Sequence, residues 1–204
     1  MSDNRVFKTL GASSHTDEER EINDYYATDS IAIDLLLSKE KFKGTIWEAC
    51  CGELHLSNRL EHFGYKVINS DLVVRKEDCG IIGCDFLEAN MLLGDNIVTN
   101  PPNKLAAEII VKSMELLKDG GKLALFLPIR FLASQQRYKI YKKYPPKNVW
   151  ISSDRIMCAK NGDFKTMKQN GGTAIDYMWI VWEKGYTGKT VIDFVSLKEL
   201  QDEQ

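Results

Sequence analysis

The feature that most constrains this chain is an alternation of short apolar runs with segments of helical spacing. "TIWEAC" (45–50), "KVINSD" (66–71), "CGIIGCD" (79–85), "NIVTN" (96–100) and "KLALFLPI" (122–129) read as strands. Between them, residues 55–64 form a helical pattern stopped by Gly64. Residues 104–118 form another, with Ala106, Ile110, Met114 and Leu117 on one face, closed by "KDGG". Apolar strands joined through helices lie parallel in a sheet that is covered on both faces. The expected fold is therefore α/β.

The same reading extends outward from this centre. Residues 30–42, "SIAIDLLLSKEKF", form a helix with Asp29 as candidate N-cap, Ile31 and Leu35 on one side, and Gly44 as its stop. "SQQRYKIYKKY" (134–144) is a basic helix stopped by Pro145 and Pro146. "NVWISS" (148–153) and "AIDYMWIVWE" (174–183) are two further strands, separated by a polar loop and suited to an antiparallel hairpin. This gives about seven strands. Residues 29–204 are expected to be a single domain, preceded by a loose arm, residues 1–28, that leads into a closing segment. A chain of 204 residues can bury roughly 70% of its unfolded surface, enough for a sizeable core.

Composition excludes several classes. With 44% hydrophobic and 27% charged residues, the chain is neither disordered nor a disulfide-stapled scaffold. Nothing in it approaches the ~20 apolar residues of a membrane span, and residues 1–28 lack the apolar core of a leader, so a cytoplasmic protein without membrane contact is expected. Five cysteines without a CxxC pair support neither a disulfide framework nor zinc, and Cys79 and Cys84 are expected in the core. His15, His55 and His62 are scattered, with no Ser/His/Asp arrangement. No metal is expected.

Charge is unevenly spread. Residues 120–175 hold 11 Lys/Arg against two acids, Asp154 and Asp163, although the whole chain has a net charge of -2. A local positive field suits a phosphate-binding face, and a solvated surface would look the same in sequence.

The stretch "IWEACCGELHLSNRL" occupies the first strand-to-helix turn, where an open α/β sheet presents a strand's carboxyl end to ligands. Ala49, Cys50, Cys51 and Gly52 are small enough for backbone to approach a ligand closely, and a helix starting near His55 would aim N–H groups at it. One glycine where a dinucleotide fingerprint has three argues against NAD. Asp71, 19 residues beyond Gly52, ends the second strand where an acid can accept two hydrogen bonds from a ribose diol. Asp85 could hold an amino group and Phe86 could stack on a base; each acid could equally cap a helix. "TNPPN" (99–103) then follows an apolar strand, and its prolines stiffen the turn.

"EACCGEL", "SDL", "CDF" and "TNPPN", in this order, resemble a Rossmann-like class I S-adenosylmethionine (SAM)-dependent methyltransferase, with a seven-stranded, mostly parallel sheet and a C-terminal antiparallel hairpin. More narrowly, "YYATD", "WEACCGE", "TNPPN", "YPPK", "DRIMCAKNGDF" and "WIVWEKGY" resemble the small phage and prophage enzymes grouped with DNA adenine-N6 methyltransferases. The resemblance implies SAM as cofactor, contacted by Tyr26, Thr28, Glu48, Ala49, Cys50, Gly52, Asp71, Leu72, Asp85, Phe86 and Asn100. It implies an acceptor turn of Asn100, Pro101, Pro102 and Asn103, with Asn100 Oδ1 and the Pro101 carbonyl accepting the hydrogens of adenine N6. The implied setting is the cytoplasm of a bacterium or phage-infected host.

On this reading Arg130 and Phe131 would approach the substrate, Phe131 alternatively being simply core, and Arg137, Lys139, Lys142 and Lys143 would hold phosphates. The partner is a nucleic acid, DNA, with a homodimer or protein partner supplying target selection. An RNA base, a protein glutamine amide, or a silent SAM-fold protein that binds nucleic acid or protein are the alternatives. Two residues depart from the family pattern. Leu54 stands where its turn has a second glycine, and its Cβ would crowd the cofactor or force the residue out of positive φ. Asn103 stands where an aromatic normally stacks on a flipped base, a platform worth about 1–3 kcal/mol.

Overall fold

The computed structural model describes residues 26–160, 162–169 and 171–202. The arm expected at the start of the chain lies, up to residue 25, outside the described residues. The strands are β1 (Tyr26–Thr28), β2 (Ile46–Glu48), β3 (Val67–Asp71), β4 (Ile81–Ile82), β5 (Asn96–Thr99), β6 (Lys122–Pro128), β7 (Asn148–Ser152), β8 (Cys158–Lys160), β9 (Tyr177–Glu183) and β10 (Val191–Val195). The α-helices are α1 (Ile31–Lys39), α2 (His55–His62), α3 (Ala106–Leu116), α4 (Gln135–Lys143), α5 (Phe164–Gln169) and α6 (Leu197–Asp202).

Eight strands form one sheet in the order β10-β7-β9-β6-β5-β2-β3-β4. β9 runs antiparallel to both neighbours, and every other adjacent pair is parallel. The expected hairpin is thus present as β7 and β9, but the sheet has one strand more than expected, because β10 adds in parallel beside β7. β1 and β8 make a separate antiparallel ribbon in which Thr28 faces Cys158. The run expected as a strand over 79–85 shrinks to Ile81–Ile82, bracketed by Gly80 and Gly83 at positive φ (112° and 71°), where the chain turns out of the ladder.

Strand alternation divides the core into two layers. Ile46, Ala124, Phe126, Trp179 and Val181 pack with Leu35, Leu36, Leu56 and Leu60 of α1 and α2. Trp47, Leu123, Leu125, Ile180 and Trp182 pack with Ile109, Ile110 and Met114 of α3. The result is helix, sheet, helix. Each indole N–H finds an acceptor: Trp47 on Ser70 Oγ (2.8 Å), Trp150 on Glu40 Oε1 (3.1 Å), Trp179 on the Ala32 carbonyl (2.7 Å) and Trp182 on the Tyr144 carbonyl (3.1 Å). Just before α1, whose N-cap is Ser30 rather than the expected Asp29, the Asp29 Oδ1 accepts from the Ile31 N–H at 3.2 Å.

From β2 the chain crosses to β3 on one side, whereas β5 pairs on the other side of β2. Where the order of strands reverses, helices leave to opposite sides of the sheet, and a crevice opens at the carboxyl ends of β2 and β5.

Candidate active site

A cleft of about 350 Å³ opens at that point, within the size range of small-molecule sites. Every residue assigned above to the cofactor or the acceptor turn lines it: Tyr26, Thr28, Glu48, Ala49, Cys50, Gly52, Asp71, Leu72, Asp85 and Phe86, then Asn100 to Asn103. Five strands, β1 to β5, bring them together, Asp85 and Phe86 following β4.

The turn after β2 is held by its own backbone and by Asp71. Gly52 has φ 52° and Leu54 φ 69°. Leu54 therefore keeps the left-handed geometry expected only of glycine, at a cost on the order of 1–2 kcal/mol. Two hydrogen bonds hold it there, from its N–H to the Cys51 carbonyl (2.8 Å) and to its carbonyl from the Asn58 N–H (2.9 Å). The expected loss of positive φ is therefore not seen, and Leu54 is absent from the cleft lining.

The acids of the cleft differ in what they are free to do. Asp71 is buried; its Oδ2 accepts from the Gly52 N–H (2.8 Å) and its Oδ1 from the Val73 N–H (3.0 Å), fixing the turn and leaving lone pairs on both oxygens. Glu48 is buried at the floor and accepts a hydrogen bond from Ser57 of α2. Burial pushes its carboxyl well above the usual range, the Asp71 and Glu61 charges add to this, and the Ser57 bond opposes it. Asp85 is exposed, and its Oδ1 caps the 3-10 turn Phe86–Glu88 through the Leu87 N–H (2.9 Å). The ring of Phe86 lies 5.0 Å from that of Trp47, so it forms part of the core as well as the cleft wall.

At the acceptor turn, Asn100 Nδ2 donates to Thr28 Oγ1 at 2.7 Å. The Pro102 carbonyl accepts from the Leu105 N–H (2.9 Å), which ties the turn to the start of α3. Pro101 is buried, while Asn103 and Lys104 are exposed at the rim. Burial holds the thiol of Cys50, with the Asp71 charge adding to it, at a pKa of about 12; burial likewise holds Cys158 at about 12. Both are thiols at neutral pH, which removes them as nucleophiles. Among the described residues no cluster of His, Cys, Asp and Glu could hold a metal ion, and no helix is long and apolar enough to cross a membrane.

The residues expected to meet substrate stand outside the cleft wall, with Arg130 close enough for its charge to act on Tyr177 of that wall. None of Arg130, Phe131, Arg137, Lys139, Lys142 and Lys143 lines the cleft. Phe131 is a core residue. Arg137 spends its guanidinium on the carbonyls of Phe131 (2.7 Å), Ala133 (2.7 Å) and Arg130 (3.2 Å), capping the turn Ile129–Leu132 rather than facing phosphates. α4 carries the chain from the carboxyl end of β6 to the start of β7, which runs parallel to it. Lys142 and Lys143 therefore sit at the end of the sheet opposite the cleft. Lys122 and Lys147 are paired with Glu40 and Glu183. Arg137, Lys122 and Lys147 of the basic segment are thus engaged with groups of the protein itself.

Sequence reasoning also missed residues that line the cleft, among them Val73, Arg75, Lys104, Leu105 and Tyr177. Tyr177 begins β9, stacked on Phe126 (5.1 Å, 12°). The signal for it was direction: a strand antiparallel to β6 starts where β6 ends, at the cleft.

No protein-family model matches the chain, and neither does any curated relative. Solved structures do match. A protein assigned as a class I SAM-dependent methyltransferase from Listeria monocytogenes superposes with a TM-score of 0.59, at 16% identity over 98% of this chain and 74% of that one. The fold is that of the class I methyltransferases. A protein assigned as a hemolysin from Lactococcus lactis gives 0.57, at 12% identity over 85% of this chain and 95% of its own. One assigned as an RNA methyltransferase from Pyrococcus horikoshii gives 0.55, at 12% identity over 89% and 98%. At such identities the likeness is one of fold, and the chemistry must be argued from the cleft.

Proposed function

We propose that this chain is a SAM-dependent methyltransferase whose acceptor is an exocyclic amino nitrogen, adenine N6 in DNA. The observation that carries the reading is the state of Asn100. Its Nδ2 is engaged by Thr28, while its Oδ1 and the Pro101 carbonyl have no hydrogen-bond partner among the described residues. Two unfilled acceptors at a cleft fit a group that brings two N–H hydrogens. An adenine amino lone pair is delocalised into the ring; accepting both hydrogens at fixed points favours the pyramidal, nucleophilic form. Pro101 and Pro102 hold that carbonyl in place.

The residues present fit SAM. The open lone pairs of Asp71 suit a ribose diol, the exposed Leu72 and the apolar Leu87 and Leu105 suit a purine face, and the turn at Gly52 lets backbone approach closely. SAM, when bound, supplies the methyl group on a sulfonium centre. The protein's part is to orient the acceptor, exclude water and keep acceptor atoms aimed at its hydrogens.

Asn103 offers no aromatic platform, so a base already out of a duplex, in single-stranded DNA, is the better substrate. Lys104, exposed beside Asn103, is a cation at the rim placed to meet a phosphate. Transfer of labelled methyl from SAM to single-stranded DNA, lost in Asn100→Ala with cofactor binding retained, is the expected result. Label that persists in Asn100→Ala, or that goes only to protein amides, would overturn it.

A further inference from the structure

The Asn100 carboxamide is planar, with a donor end and an acceptor end of nearly equal size, so rotation by half a turn exchanges them. Only the acceptor end can serve an amino group. Something must therefore break the symmetry, and the molecule supplies it from a distant part of the chain. Thr28, 4% exposed, sits on β1 with its Oγ1 2.7 Å from Asn100 Nδ2. Its strand partner is Cys158, whose Sγ lies 3.9 Å from both Thr28 Oγ1 and Asn100 Nδ2. The Asp29 N–H continues the ribbon by donating to the Met157 carbonyl at 2.9 Å.

Cys158 Sγ lies within reach of the Thr28 hydroxyl, and when that hydroxyl spends its own hydrogen on the sulfur, a weak acceptor, its oxygen lone pairs are left for Asn100 Nδ2. The donor end of the amide is drawn to the ribbon and the acceptor end is left to the cleft. We propose that Thr28 is a positioning residue, resting on the amino-methyltransferase reading above, which sets the orientation of the Asn100 amide through the β1–β8 ribbon and thereby its competence to receive an amino acceptor. On this account the Thr28 hydroxyl, in the cleft lining, acts on Asn100.

Three substitutions test it. Thr28→Val removes the hydroxyl at nearly constant shape, Thr28→Ala removes it with loss of volume, and Thr28→Ser keeps it. With SAM and a single-stranded adenine oligonucleotide, kcat is expected to fall about tenfold in Thr28→Val and Thr28→Ala, the equivalent of one hydrogen bond. The KM and calorimetric Kd for SAM should be unchanged, and Thr28→Ser should stay within about threefold of the parent. In parallel, the Asn100 side-chain NH2 signal, assigned by its loss in Asn100→Asp, should shift and exchange faster with water in Thr28→Val but not in Thr28→Ser.

Unchanged kcat and an unmoved amide signal in Thr28→Val would overturn the proposal. So would an equal loss in all three variants, or a loss that tracks weakened SAM binding. Absence of methyl transfer in the parent protein would instead defeat the amino-methyltransferase reading, while the amide signal would still decide how Asn100 is oriented.

Discussion

Replacing Asp71 by Asn should unlock the turn that follows β2. The substitution is almost isosteric, so its effect comes from charge and donor pattern alone. Asp71 accepts from two backbone N–H groups, those of Gly52 (2.8 Å) and Val73 (3.0 Å), one on each oxygen, and is 9% exposed. An asparagine can accept only one of them, and its NH2 must then face the other N–H. The loss of one charge-assisted bond costs about 1.5–3 kcal/mol, and an unsatisfied buried donor a further ~1 kcal/mol or more. We expect destabilisation of about 3 kcal/mol, read as a lower urea midpoint at constant m-value. SAM affinity, measured by calorimetry, should fall tenfold or more, about 1.4 kcal/mol, because the same carboxylate both shapes the turn and would hold the ribose. A loss below about 1 kcal/mol with undiminished SAM binding would refute the argument that Asp71 organises this turn.

Three further outcomes are expected. Burial raises the native pKa of Glu48 above its ordinary value near 4.5, so the native state holds that proton to higher pH than the unfolded chain; stability from this group is complete below about 4.5 and is lost as pH rises through the native value. Thermal melts should therefore show the midpoint of Glu48→Gln gaining on that of the parent as pH rises above about 4.5, and parallel curves would contradict this. Glu40 is 3% exposed and receives Lys122, Asn148 (2.6 Å) and Trp150 (3.1 Å), so Glu40→Ala should cost about 3–5 kcal/mol in urea unfolding, by stranding buried donors. Lys104→Ala should weaken single-stranded DNA binding and lower the slope of log K against log salt by about 1, whereas Lys142→Ala should leave it unchanged, as fluorescence titrations would show.

Much of the fold could be read from the sequence for a physical reason. Strands buried on both faces, such as β5 and β6, must be apolar runs, and the helices between them carry a one-sided pattern. β10 escaped because its residues face solvent: Val191, Ile192 and Phe194 are 53%, 54% and 69% exposed, and its strand partner among the described residues is β7, far away in sequence. The β1–β8 ribbon escaped because it pairs three residues across more than a hundred, with no local signal. At the site, the residue types of "TNPPN" and "NSDL" were informative because few chemistries need them. Charge was not informative. A lysine or arginine looks the same in sequence whether it meets a phosphate, a carboxylate, as Lys147 does, or backbone carbonyls, as Arg137 does. Leu54 shows the limit of a rule about glycine: a pair of backbone hydrogen bonds holds its φ at 69° despite the Cβ.

The central claim is that Asn100 and the Pro101 carbonyl present an adenine amino group for methylation. The most direct test is nucleoside analysis by mass spectrometry of single-stranded oligodeoxynucleotides incubated with SAM and either the parent protein or Asn100→Ala. The account predicts N6-methyladenine with the parent protein, none when adenine is omitted from the strand, and a loss of about a hundredfold or more in Asn100→Ala. Methylation at another base, or N6-methyladenine formed equally well without the Asn100 amide, would contradict it.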